Sequence, residues 1–185
     1  MPLSPPTARK ETHLRAIAIR GYERADGLWD IEGHLVDTKT YGFDNRDRGR
    51  VEPGVPVHEM WLRITIDGEM LIHEAEASTD FGPYNMCAEI TPNFTKLKGI
   101  RIGPGWRRQV REVVGGVKGC THLVELLGPI ATTAYQTIWP TISRRQKKKE
   151  GEEKSAKPSM LGSCHAYAPD SPVIKRNWPE HYTGE

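Results

Sequence analysis

An α+β fold, an antiparallel sheet of two hairpins followed by helices packed on one face, is predicted by three features of the sequence. Two segments alternate apolar and polar residues around glycine-containing turns, the hydrophobic period changes from two to about 3.6 after Tyr84, and the strands precede the helices instead of interleaving with them. With 185 residues, 37% of them hydrophobic, the chain can bury one core with extensions. The expected layout is an N-terminal extension 1–13, an α+β domain 14–143, a charged linker 144–159 and a C-terminal segment 160–185 docked on the domain.

The first hairpin spans residues 14–41, "LRAIAIRGYE" and "LWDIEGHLVDTKTY", around Ala25-Asp26-Gly27. A three-residue loop with Gly27 left-handed sets Ile17 against Leu35, Ile19 against Gly33 and Arg15 against Asp37, so that Trp29, Ile31 and Leu35 share an apolar face. A two-residue loop would slip the register by one and turn that set toward water. The second hairpin, "HEMWLRITI" and "EMLIHEAEAS", flanks Asp67-Gly68. Read as a two-residue turn, it pairs Ile64 with Leu71, Leu62 with His73, Met60 with Ala75 and His58 with Ala77, and both histidines point coreward. Four strand positions, about 13 Å, then separate His58 from His73, too far for one catalytic pair.

Helices take over afterwards. Ile90, Phe94 and Leu97 mark a short one ending at Gly99, Pro104 opens another through Trp106, Val110 and Val113, and the longest runs from near Cys120 to Trp139, where Pro140 stops it. On that helix Cys120, Leu123, Val124, Leu127 and Ala131 form an apolar face, with His122 on a different side next to Leu126. "MLGSCHAYAPDSPVIKRNWPEHY" has enough apolar and aromatic residues to dock rather than hang free.

Charge and cysteine usage narrow the function classes. The net charge of +2 is concentrated in Arg144–Lys157, with seven basic and three acidic residues, which leaves the rest of the chain at about −2. The folded part lacks the basic face and stacking aromatics of a nucleic-acid surface, so no nucleic-acid partner is expected. There is no apolar run of membrane-spanning length and no secretory leader in the first residues, so no membrane partner is expected either. Three dispersed cysteines, Cys87, Cys120 and Cys164, suit a reducing compartment, and the expected location is cytoplasmic.

The candidate chemistry lies at three places. Asp37, Lys39 and Tyr41 alternate onto the face of Trp29, Ile31 and Leu35, where an acid, an amine and a phenol can line a pocket that shifts their pKa values. For Asp37 the competing reading is a cross-strand ion pair with Arg15. His58, on the apolar face of the second hairpin, is the best partner for that pocket. "GGVKGCTHLVELLG" puts Cys120 near a helix start, where the dipole and Lys118 favour a thiolate, and adds His122. Packing as a small hydrophobe accounts for Cys120 equally well. "GIRIGPGWRRQV" supplies Trp106 and Arg107 as substrate-binding candidates, with Arg108 and Arg111 beside them for a carboxylate or phosphate. It matches neither the P-loop nor the dinucleotide fingerprint. A metal reading would use Cys87, Cys120 and His122; the spacings lack paired two-residue cysteine hooks.

"DGLWDIEGHLVDTKTY", "HEMWLRITID", "IGPGWRRQV", "GCTHLVELLGPIATTAYQT" and "CHAY…SPVIKRNWPEHY" together resemble the bacterial domain of unknown function 2889 family, over nearly the whole chain. In outline the layout is also similar to iron–sulfur scaffold proteins and sulfur acceptors of the SufE type, but the Cys-Gly-Asp loop and adjacent His-Cys pair of the scaffolds are missing. The family resemblance implies a part in aromatic-compound catabolism, including lyases on lignin-derived phenolic dimers. The expectation is therefore a cofactor-independent acid–base lyase acting on a small aromatic compound, with C–C cleavage and formaldehyde release. In it Tyr41 or His58 is the base, His122 the acid, Lys39 a charge stabiliser and Asp37 an orienting group, with Trp106, Arg107 and Cys120 binding substrate. The alternatives are a metal or sulfur carrier using the cysteines, and a non-enzymatic ligand-binding or assembly subunit. Homo-oligomer formation stays open.

Overall fold

The computed structural model describes residues 3–150, 158 and 160–184, with side chains to Ile142 and again from Pro158. Much of the expected charged linker, residues 151–157 and 159, lies outside the described residues. The chain divides into two compact units, Met1–Pro140 and Thr141–Glu185.

In the first unit, β1 (His13–Glu23), β2 (Trp29–Lys39), β5 (His58–Ile66) and β6 (Ile72–Phe81) form an antiparallel sheet in the order β1-β2-β5-β6. A two-stranded ribbon of β3 (Phe43–Asn45) and β4 (Gly49–Val51) sits between β2 and β5 in the chain. A 3-10 helix, Asn85–Leu97, then α1 (Trp106–Val114) and α2 (Thr121–Glu150) follow, so the α+β class holds.

The first hairpin has the expected register, with Ile17 against Leu35, Ile19 against Gly33 and Arg15 against Asp37. Its loop closes as the three-residue type requires. Arg24 N–H donates to Leu28 O at 2.9 Å, Gly27 N–H donates to Arg24 O at 3.1 Å, and Gly27 takes φ 83°. Trp29, Ile31 and Leu35 are buried on one face, as alternation demands.

The second hairpin departs from expectation by four residues. Ile64 pairs with Ala75, Leu62 with Ala77 and Met60 with Thr79, while His58 pairs with Asp37 of β2. The cause is the turn. Asp67 Oδ1 accepts the N–H groups of Glu69 and Leu71 at 2.8 and 3.0 Å, and Met70, not Gly68, adopts the left-handed conformation at φ 63°. Because the slip is even, Met60, Leu62, Ile64 and Ile66 keep their coreward face. His73 falls at the irregularity beside Ile66 and bonds Asp67 Oδ2 at 2.8 Å on a half-exposed side chain, so it is not a core residue.

α2 lies over the sheet where β1 and β2 carry glycine. A Cβ at Gly33 would stand 3.0 Å from Ile130 Cδ1, and one at Gly21 would stand 2.0 Å from Thr137 Oγ1. The sheet-facing stripe is Leu123, Leu126, Leu127, Ile130, Ala134 and Ile138, all buried. Val124 and Ala131 are half-buried, so the helix is rotated toward Leu126 relative to the expected face. That rotation brings His122, one turn before Leu126, to the sheet. Pro140 does not end α2, which continues to Glu150: a proline forfeits one backbone donor, and the helix continues across that loss as it does at Pro129.

The second unit contains α3 (Pro172–Asn177). Ser171 Oγ caps it by accepting Ile174 N–H at 3.2 Å, Pro172 occupies the first turn, and Ile174 is buried. Lys175 Nζ stands 4.9 Å from the Tyr182 ring centroid.

Candidate active site

β1, β2, β5 and the start of α2 converge on Asp37. It is the last coreward residue of β2, and the alternation that buries Trp29, Ile31 and Leu35 also buries Asp37, which is 0% exposed. A carboxylate so placed needs partners. Arg15, directly across on β1, donates Nε to Oδ1 at 2.8 Å and Nη2 to Oδ2 at 2.7 Å, a bidentate fork. His58, directly across on β5, places Nδ1 2.9 Å from Oδ2, and His13 Nε2 lies 3.2 Å from Oδ1. The Asp37 backbone also accepts from Val57 N–H at 2.8 Å, which fixes the entry of β5 and hence His58.

The His122 ring stacks on His58 with centroids 3.8 Å apart and planes 30° from parallel. Cys120 precedes α2, its carbonyl accepting from Val124 N–H at 2.9 Å; its Sγ is 3.8 Å from both His122 Nδ1 and Met60 Sδ. Glu125, one turn after Thr121, shares Arg15 with Asp37 through an ion pair to Nη1.

Burial pushes the Asp37 carboxyl up, but the hydrogen bonds and charge of Arg15, with the His58 bond, outweigh it and hold Asp37 below its ordinary 3.8. The Asp37 bonds raise the Arg15 pKa, so its guanidinium is a fixed charge. Burial lowers the His58 pKa below 6.5, and His122 adds to that, against the pull of Asp37. Burial also lowers His122, followed by the Arg15 charge. Both imidazoles are therefore neutral at pH 7. An ionised Asp37 only accepts, so His58 Nδ1 must carry the proton and its Nε2 keeps a lone pair.

Of the expected site residues, Asp37, His58, His122 and Cys120 come together. Lys39 and Tyr41 do not join them. Tyr41 is 47% exposed, and its ring lies under the Lys39 ammonium at 5.2 Å; among the described residues no hydrogen bond or ring contact joins either residue to the histidines. β2 ends at Lys39, and the turn beyond it carries Tyr41 out of the alternating row. Trp106 and Arg107 line a cavity of about 570 Å³ between α1 and α2, with Val110, Arg111, Gly128 and Glu125. Glu125 connects that cavity through Arg15 to Asp37.

The trio Cys87, Cys120 and His122 does not converge. Among the described residues, the group whose ligand atoms all lie within 4.8 Å of one another is Asp37, His58 and His122. Two histidines and a carboxylate are a competent donor set, yet both Asp37 oxygens already serve Arg15, whose charge opposes a cation at that point. Sequence reasoning treated Arg15 as structural and missed His13 and Glu125. The first-hairpin register already placed His13 and Arg15 on the odd-numbered face with Asp37, which was the available signal.

A family model described as "Protein of unknown function (DUF2889)" matches residues 13–136, a stretch that contains every residue of this cluster. No curated protein and no solved structure matches the chain. Among the described residues, no helix is long and apolar enough to cross a membrane.

Proposed function

The chain belongs to the DUF2889 family, and from the arrangement of buried Asp37 with half-buried His58 and His122 within the matched region we propose that it is an acid–base enzyme, a lyase on a small phenolic compound. The observation that carries the reading is the bond from His58 Nδ1–H to the Asp37 carboxylate. It fixes the tautomer, leaves Nε2 with its lone pair and offsets the charge that His58 acquires on taking a proton. Arg15 holds Asp37 in place; Asp37 and Arg15 are positioning residues and His58 the base. His122, stacked on His58 and disfavoured as a cation by burial and then by Arg15, serves as a neutral N–H donor to a departing oxygen.

The phenolic substrate class comes from the sequence resemblance. For a dimer with a hydroxymethyl group beside a benzylic ether, His58 takes the hydroxyl proton. The C–C bond to the hydroxymethyl carbon breaks and formaldehyde leaves. The electron pair forms the stilbene double bond as the benzylic C–O bond opens, and the alkoxide receives the proton from the histidine pair. No oxidant or reductant is consumed. The cavity beside Glu125, with Trp106 and Arg107, offers an apolar recess for the aromatic ring.

The test is incubation of the purified protein with phenolic dimers of this kind and assay for formaldehyde and a stilbene chromophore. Turnover lost in His58→Ala supports the reading; no turnover of any such dimer removes the lyase assignment, and full activity in a folded His58→Ala variant removes His58 as base.

A further inference from the structure

β1 is an edge strand of eleven residues without proline or bulge. The opposite edge is handled differently: Ile72 at the start of β6 exchanges backbone hydrogen bonds with Gly99 and Ile100 at 2.8 and 3.0 Å. Among the described residues nothing pairs with the outer side of β1, although Leu14 and Tyr22 are 51% and 44% exposed and Ile17 is exposed too. A long, apolar, uncovered edge is a template for another strand.

The hairpin bonding shows which groups are free. Arg24 N–H donates to Leu28 O and Thr40 N–H donates to Thr12 O, so the even-numbered residues of β1 bond β2. The odd-numbered residues, His13, Arg15, Ile17, Ile19, Gly21 and Glu23, therefore direct their N–H and C=O groups outward. An antiparallel strand must meet them with odd-numbered positions.

We propose that two copies of this chain pair through β1, antiparallel, about a two-fold axis at Ala18, to give one continuous eight-stranded sheet. The register in which all six outward residues find partners sets Ile17 against Ile19, Arg15 against Gly21 and His13 against Glu23. Between these pairs it sets Leu14 against Tyr22 and Ala18 against itself. The strand is complementary to itself: exposed apolar residues meet apolar residues, Glu23 meets His13 with Arg15 on the diagonal, and no like charges are opposed. Because His13 touches Asp37, Glu23 of the second copy stands beside the outer wall of the histidine cluster.

The test is sedimentation velocity on wild type, Ala18→Lys, Ala18→Glu, their equimolar mixture and Ile17→Pro, with circular dichroism to verify the fold. Ala18 is exposed, and Ile17→Pro removes an outward N–H that β2 does not use. The expected result is a wild-type dimer, monomeric single variants, and a heterodimer restored when the Ala18→Lys and Ala18→Glu chains are mixed. A wild-type monomer at concentrations up to about 100 µM, or a dimer that persists in Ala18→Lys and Ile17→Pro, overturns the proposal.

Discussion

Asp37 and His58 are cross-strand neighbours, and the 2.9 Å bond between Oδ2 and Nδ1 joins the end of β2 to the first residue of β5. Asp37 has no exposed surface, so its charge exists because Arg15 forks onto both oxygens from the other side. One buried carboxylate therefore aligns two strands and sets the tautomer of His58.

Asp37→Asn keeps the volume and removes the charge. Amide and guanidinium then present donors to each other, and His58 is free to adopt the other tautomer. On the proposed mechanism turnover is expected to fall about 10²- to 10⁴-fold. Stability should fall by about 2–3 kcal/mol, less than for a fully buried pair because Arg15 is part-exposed and retains Glu125. Single-turnover kinetics and urea melts measure the two effects. An Asn variant with wild-type rate would show that Asp37 has only a structural role.

The pH dependence follows from the lowered histidine pKa values. On the proposed mechanism neutral His58 is the active form, so kcat/KM should rise with pH along a limb whose midpoint lies below 6.5. Stability has the same sign: below 6.5 the unfolded chain takes up protons that folded His58 and His122 resist, so stability present above 6.5 is lost as pH falls through their folded values. Asp37 adds a second loss beginning below its ordinary 3.8. Replacing His122 with Gln should raise the His58 midpoint, because a neighbouring titrating ring is gone; an unmoved midpoint would assign that limb to another group.

Much of this site is legible in the sequence. Glycine at position 27 permits a single tight loop, that loop fixes the register, and the register puts Arg15, Asp37 and the apolar row on one face. Three things were not legible. Asp67 caps its own turn and forces Met70 into a left-handed conformation, which no dipeptide rule anticipates from Asp67-Gly68. α2 carries two apolar stripes, Val124 and Ala131 or Leu126 and Ile130, and packing over Gly33 chooses the second, turning His122 inward. The contact of β2 with β5 spans the intervening ribbon, so the sequence could offer His58 to the Asp37 pocket but not its direct cross-strand pairing with Asp37.

Arg15 should also govern how well the cluster binds a metal. With both Asp37 oxygens engaged by a guanidinium, wild-type protein should bind zinc weakly at this point. Arg15→Met keeps much of the length, removes the charge and frees the carboxylate, leaving two histidines and a carboxylate in reach of one ion. Zinc affinity, read by competition with a chromogenic chelator, should rise at least ~10-fold, a free-energy change of about 1.4 kcal/mol. Equal affinities would mean that Arg15 does not guard the site.

The cavity between α1 and α2 can be filled without touching the histidines. Gly128 lines it from within α2, and a Cβ there meets nothing within 4 Å. Gly128→Leu should therefore extend its side chain into the space opposite Trp106 and Val110. Two effects with different origins are expected together. Replacing a mid-helix glycine with leucine favours the helix by up to about 1 kcal/mol, so the thermal midpoint should rise. If the cavity seats the aromatic ring of the substrate, the same leucine should raise KM several-fold while leaving the pH midpoint of kcat/KM in place, because Asp37, His58 and His122 are undisturbed. A more stable protein with unchanged KM would separate the cavity from the reaction and leave the histidine cluster to bind its substrate elsewhere.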